Sequence, residues 1–195
     1  MSLNFLIDSI KGSLIITKEN NYAYFIHPFT DGVLPIEPNM LYRTANTLCD
    51  LIEDDVDYCD IDYIITPEAM GIPIATAVSR FLDKSYLVAR KRKYGLSHEL
   101  EISQRTGYSR NLMYINGVRL GHRVIIIDDV VSTGGTLKAI MDALRANNID
   151  VIGSYTIIEK DGAAKLLREQ GYNVKSLVNV IMGKDCIQDV VRSKY

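Results

Sequence analysis

Cysteine is scarce in this chain. Cys49, Cys59 and Cys186 are the only three, they stand far apart, and none forms a CxxC pair. No Cys/His cluster has zinc-ligand spacing, so no metal site built from the chain's own side chains is expected. An odd, dispersed set suits reduced thiols, and a cytoplasmic location is expected. Charge of one sign is lacking too. With 22 Lys+Arg against 24 Asp+Glu the net charge is −2, which offers no wholesale attraction to nucleic acid. No apolar run approaches the roughly 18–20 residues of a membrane helix. No basic region followed by an apolar stretch opens the chain, so no signal peptide is expected. Neither nucleic acid nor a membrane is therefore expected as a partner. Internal repeats, low-complexity tracts and Pro/Gly/Ser-rich linkers are also missing, and residues 1–195 are read as a single domain.

What is present is 47% hydrophobic residues, enough to bury a sizeable core. Residues 10–16 and 22–26 read as short strands flanking Asn20-Asn21. Pro28, Pro35 and Pro38 mark an irregular segment. Leu41, Ala45, Leu48 and Ile52 recur at helical spacing and predict a helix over 38–53. Strands and helices then alternate. Residues 61–66 and 86–89 read as strands on either side of a helical face made by Ile74, Ala77, Val78 and Phe81. Val124 to Ile127 are four β-branched residues in a row, as in a parallel strand covered on both faces. Leu137, Ile140, Met141 and Leu144 predict a helix, followed by a strand over 151–158, a helix over 163–169 and a strand over 174–180. This order predicts an α/β fold with a doubly wound, mainly parallel sheet. Between about residues 94 and 116 the periodicity fades, which predicts a long flexible excursion or a hairpin.

The most informative segment runs Val124-Ile125-Ile126-Ile127-Asp128-Asp129-Val130-Val131-Ser132-Thr133-Gly134-Gly135-Thr136. A buried strand ends at two adjacent carboxylates, and a loop of hydroxyls and glycines then opens a helix. Unpaired N–H groups and the positive dipole end at a helix start make an anion site. Glycine at 134 and 135 lets the backbone approach a phosphate closely. The paired acids repel phosphate oxygens; vicinal hydroxyls or a hydrated Mg²⁺ are their natural partners. A phosphate and a diol one sugar apart describe a ribose 5-phosphate, and ligands of open α/β sheets bind at the carboxyl ends of strands. No lysine precedes Thr136 as a P-loop requires, and no GxGxxG fingerprint occurs.

At these residues the chain resembles the type I phosphoribosyltransferases, whose signature is an apolar strand, two acids, two apolar residues and a small-Thr-Gly-Gly-Thr loop. Residues 24–38, 66–71, 90–93 and 157–164 are similar to the matching stretches of the adenine-type branch, and more similar to its archaeal hypoxanthine/guanine members. The resemblance spans roughly residues 20–180. It implies transfer of a 5-phosphoribosyl group from phosphoribosyl pyrophosphate (PRPP) to a purine. Hypoxanthine or guanine is the expected acceptor. Adenine, another acceptor such as orotate or xanthine, and a PRPP-binding regulator without turnover are the alternatives.

The resemblance also implies roles. Asp128 and Asp129 would hold the ribose hydroxyls, and Val131, Ser132, Thr133, Gly134, Gly135 and Thr136 the 5′-phosphate. Glu68, Ala69, Met70 and Gly71 would form the pyrophosphate loop, with a cis Glu68–Ala69 peptide. Adenine-type enzymes carry Arg where Met70 stands here, so Lys91 or Arg92 is expected to replace that cation. Val130 would hold the base together with Phe25 and Ile26 of an N-terminal segment of about residues 1–40. His27 is read as a capping or packed histidine. Glu159 and Lys160 either read the purine edge or form a surface pair. Residues 94–116 would form a mobile hood, from which Ser97, Gln104, Arg105 and Tyr108 reach PRPP. The hood glutamate of adenine enzymes is missing from 104–108, leaving Glu99 or Glu101 as substitutes, and Ser132 replaces the aspartate of the eukaryotic hypoxanthine/guanine type. Mg²⁺ is expected to arrive with PRPP, held by its oxygens and water, and a homodimer is expected.

Overall fold

The computed structural model describes residues 3–17, 23–105 and 110–195. The first elements are α1 (Asn4–Lys11), β1 (Leu14–Thr17), β2 (Ala23–Ile26), the short α2 (Pro28–Asp31) and α3 (Pro38–Glu53). Then come β3 (Tyr63–Pro67), α4 (Gly71–Leu82), β4 (Tyr86–Ala89), β5 (Leu100–Arg105) and β6 (Arg110–Ile115). The chain closes with β7 (Arg123–Val131), α5 (Gly135–Ala146), β8 (Asp150–Lys160), α6 (Ala163–Glu169), β9 (Val174–Met182) and β10 (Ile187–Arg192).

Six strands form one sheet in the order β10-β9-β8-β7-β3-β4. All neighbours are parallel except β10, which runs antiparallel to β9 along the edge. The two halves of β7 explain the doubly wound packing. Ile125 and Ile127 point into a core with Ala45, Leu48 and Ile52 of α3 and Ile74, Ala75 and Val78 of α4. Val124 and Ile126 point into a second core with Leu137, Ile140, Met141 and Leu144 of α5 and Leu167 of α6. A period-2 strand with apolar residues on both parities thus requires helices on both faces.

Three sequence expectations change. Residues 10 and 11 belong to α1 rather than to a strand, because Leu6 and Ile10, one helical turn apart, are both buried. Pro28 opens a one-turn helix capped by His27 within the segment read as irregular. The strand that carries the acidic pair does not stop at Asp128; it continues to Val131, paired with Thr156, Ile158 and Glu159 of β8. Residues 94–116 contain the antiparallel hairpin β5–β6. It is tied to the sheet by a bridge between Arg90 and Tyr114, whose backbone groups exchange bonds of 2.9 and 2.7 Å.

Behind the sheet, Asp55 locks the end of α3 to β8 and β9. Its carboxylate accepts from Tyr155 Oη at 2.7 Å, Asn173 Nδ2 at 2.8 Å and Lys175 Nζ at 2.5 Å. Burial alone would raise this carboxyl, but the three donors outweigh it and hold it below its ordinary range. A depressed folded-state value stabilises above the unfolded carboxyl range, and the gain is lost as pH falls through the folded value. Asp55→Ala should therefore cost roughly 3 kcal/mol at pH 7 by leaving Lys175 unpaired, with a smaller difference near pH 3, as measured by denaturant unfolding.

Candidate functional site

At the carboxyl ends of β3 and β7 lies a cleft of about 260 Å³. It is lined by Thr30 of α2, residues 67–70, and residues 128–137. Two loops separated by some sixty residues meet here because β3 and β7 are parallel neighbours and both end at the same edge.

The acidic pair forms the floor. Asp128 is 9% exposed and Asp129 half-buried. The Asp129 N–H donates to Asp128 Oδ1 at 2.9 Å. Burial, then the neighbouring charge of Asp129, raises the Asp128 carboxyl well above its ordinary range; burial raises Asp129 as well.

Beyond the pair the chain turns through Ser132 and Thr133 into α5. Gly134, the N-cap, has φ 74°, a left-handed conformation that favours glycine, and it has no side chain to cap the helix. Of the first-turn N–H groups, that of Gly135 reaches Thr133 Oγ1 at 3.4 Å, and a helix start of this kind offers its remaining donors to an anion. A Cβ at Gly134 would also lie 3.0 Å from the Leu167 side chain of α6, which backs the loop.

The facing wall is the 67–70 loop. Its Glu68–Ala69 peptide is cis, the bond at which the sequence resemblance implies one. Gly71 admits no side chain: a Cβ would stand 2.2 Å from Thr66 Oγ1 and 3.1 Å from Asp128 Oδ1. The Thr66 hydroxyl is fully buried there with no hydrogen-bond partner among protein atoms. Met70 supplies its side chain to the cleft. The cation beside this loop is Arg90, whose Nε is 3.4 Å from Glu68 Oε2, while Lys91 contributes its backbone N–H to Glu68 Oε1 at 2.7 Å. Neither Lys91 nor Arg92 lines the cleft, and the Arg92 guanidinium lies over the Tyr94 ring at 5.4 Å.

The N-terminal segment closes one side. Val130 is half-buried on the cleft wall. Phe25 is 1% exposed and packs into the core, and Ile26 is half-buried; neither lines the cleft. His27 is 1% exposed, and burial lowers its pKa to about 4. Its Nδ1 accepts from the Phe29 N–H, so Nε2 carries the proton toward Ser9 Oγ at 3.1 Å. It is a neutral capping histidine. Glu159 and Lys160 are not a surface pair, being 3% and 4% exposed and pointing to opposite faces of the sheet. Glu159 meets Arg168 and Ser193, whereas Lys160 Nζ lies 5.5 Å from the Tyr24 ring and 5.7 Å from that of Phe25.

The hairpin candidates divide. Glu99 accepts from the Tyr94 and Gly95 N–H groups and Asn116 Nδ2, each at 2.9 Å, and these donors hold its carboxyl low. It braces the turn before β5 and has no proton to give. Glu101 pairs with Lys93 at 3.9 Å, and Ser97 is exposed away from the cleft. Tyr108 lies outside the described residues, and of Gln104 and Arg105 only the backbone in β5 is described. Thr30 was missed from sequence; no motif marks it, and only the turn of α2 carries it to the rim.

A carboxyl raised on folding stabilises below its unfolded value and loses that contribution as pH rises to the folded one. Asp128→Asn should therefore raise the thermal midpoint at pH 8 by roughly 2–4 °C, the shift for about 1 kcal/mol in a chain of this size. At pH 4 the gain should vanish, which thermal melts at the two pH values would check.

Residues 38–187 match the family model for the phosphoribosyl transferase domain. The chain is similar to a hypoxanthine/guanine phosphoribosyltransferase of Methanothrix soehngenii, 44% identical over 90% of this chain and 92% of that one. It is likewise similar to one of Ferroglobus placidus, 43% identical over 96% and 97% of the two chains. The crystal structure of adenine phosphoribosyltransferase from Rhodothermus marinus shares the fold, with a TM-score of 0.71 at 18% identity over 91% of this chain and 99% of that one. The cleft, its acidic floor and its glycine-bearing helix start therefore sit in a chain that belongs to the phosphoribosyl transferase domain family.

Proposed function

We propose that this protein is a purine salvage enzyme, a pentosyltransferase that moves 5-phosphoribose from PRPP to hypoxanthine or guanine, giving IMP or GMP and pyrophosphate. One observation carries the reading. The Asp128–Asp129 pair and the uncapped start of α5 share a single cleft with the 67–70 loop. A sugar diol, a 5′-phosphate and a diphosphate require those three surfaces together.

In this reading Asp128 and Asp129 anchor the 2′- and 3′-hydroxyls. Val131, Ser132, Thr133, Gly134, Gly135 and Thr136 cradle the 5′-phosphate with N–H and hydroxyl donors. Glu68, Ala69, Met70 and Gly71 hold pyrophosphate through the backbone, with Arg90, Lys91 and Arg92 adding positive charge nearby. As pyrophosphate leaves C1 the ribose gains oxocarbenium character, which the carboxylates beneath it stabilise. The ring nitrogen attacks the opposite face, so catalysis is positioning plus electrostatics.

The base lies against Val130 and Ile26, with Phe25 behind them. Lys160 supports an oxopurine: an ammonium only donates, so it suits a ring carbonyl and is poorly matched to an exocyclic amine. The oxygen donors of the cleft suit Mg²⁺, and among the described residues no group of three ligating side chains could hold a metal. Mg²⁺ would enter with PRPP, on substrate oxygens and water, and would supply charge neutralisation to the departing pyrophosphate. The whole chain acts as a single domain in the cytoplasm, on small molecules alone. The exposed side chains of Val33, Leu34 and Tyr42 support a homodimer. No helix among the described residues is long and apolar enough to cross a membrane.

A spectrophotometric screen of hypoxanthine, guanine, xanthine and adenine with PRPP and Mg²⁺ tests the reading. Turnover is expected with hypoxanthine or guanine. Preference for adenine would move the enzyme to the other branch, and inertness toward all four would refute the assignment. Asp129→Asn should lower turnover by about 100-fold or more, with an unchanged circular dichroism spectrum.

A further inference from the structure

Attack by a purine ring nitrogen leaves one proton to be removed, and the usual carboxylates for that task are engaged elsewhere. Glu99 is held by three donors, Glu68 by the Lys91 N–H and Arg90, and Glu159 faces α6 and β10. Asp31 is different. It ends α2 without itself lining the cleft, between two residues that meet it. Thr30, before it, lines the cleft. Gly32, after it, is left-handed at φ 65° and abuts the cleft residue Met70, since a Cβ there would stand 2.8 Å from Met70 Sδ.

Its carboxylate is also aimed. The Tyr24 hydroxyl donates to Oδ1, and the Thr30 hydroxyl donates to Oδ2. Each oxygen keeps a further lone pair for a ligand. The charged and titratable groups around it are Tyr24 on β2, His27 before α2 and Asp129 on β7, and Lys160 of β8 lies over the Tyr24 ring. His27 is neutral, and Tyr24 is held protonated by burial and then by Asp31 itself. Asp129 feels the Asp31 charge, after its own burial, so the two carboxylates share one neighbourhood.

We propose that Asp31 is the proton acceptor for the purine, taking the ring N–H while Tyr24 and Thr30 hold its two oxygens in place. The assignment rests on the purine phosphoribosyltransferase reading. The step balances as follows. The attacking nitrogen's electron pair forms the bond to C1. The C1–O bond breaks, and its electron pair leaves on pyrophosphate. The N–H electron pair returns to the ring as the proton passes to an Asp31 oxygen, and solvent takes it after product release.

The test compares two bases. Guanine must surrender its ring proton during attack, whereas 8-azaguanine ionises more readily and depends less on a base. Asp31→Asn should lower kcat with guanine by about 100-fold or more. The loss with 8-azaguanine should be much smaller, and the PRPP dissociation constant by calorimetry should stay unchanged. Tyr24→Phe keeps the carboxylate but frees one oxygen, and should show a smaller loss with the same base dependence. It serves as the readout if the Asp31 variant fails to fold. An active wild type whose Asp31→Asn variant keeps its turnover, or loses it equally with both bases, overturns this assignment alone. A wild type inert toward every purine overturns the parent reading and this assignment with it.

Discussion

Two like charges forced together at the end of a buried strand are the constraint around which the molecule is arranged. Asp128 and Asp129 are adjacent on β7, the first buried and the second half-buried, and burial raises both carboxyls above their ordinary range. Such a pair costs stability in the folded chain. The cost is tolerated because β7 sits at the centre of the sheet, with helices on both faces and parallel neighbours on both edges. A central strand cannot shift its register to relieve the repulsion without exposing two apolar faces at once. The rigidity of the core thus keeps the pair poised for a ligand that neutralises it.

Much of this was legible in the residues because one segment joins several signals. Four β-branched residues, two acids and a glycine-bearing loop in strict order leave few structures to satisfy all of them. The helix over 38–53, the strand over 86–89 and the helix over 163–169 agree with α3, β4 and α6 to the residue. Each is a short periodic run closed by turn chemistry. The expectation of a doubly wound parallel sheet follows from the same alternation.

What stayed hidden depended on tertiary packing. Nothing local distinguishes α1 from a strand; only the burial of Leu6 and Ile10 against the sheet decides it. The antiparallel β10 follows the last recognisable βα unit and pairs with β9 through contacts distant from any motif. Thr30 reaches the cleft, with Asp31 next to it in the chain, because His27 caps a single helical turn, a device with no periodicity to detect. The charge run 90–93 was visible, but which of its members turns toward Glu68 is set by the bridge to Tyr114, a pairing between segments over twenty residues apart.

That bridge joins two parts of the cleft mechanically. Arg90 is fastened at both ends, its backbone to β6 and its side chain to the carboxylate of Glu68. A swing of the β5–β6 hairpin about its base pulls on the same residue that steadies the 67–70 loop. Displacement at the hairpin's base and displacement of the 67–70 wall therefore bear on one residue, so the arm and the wall are mechanically joined.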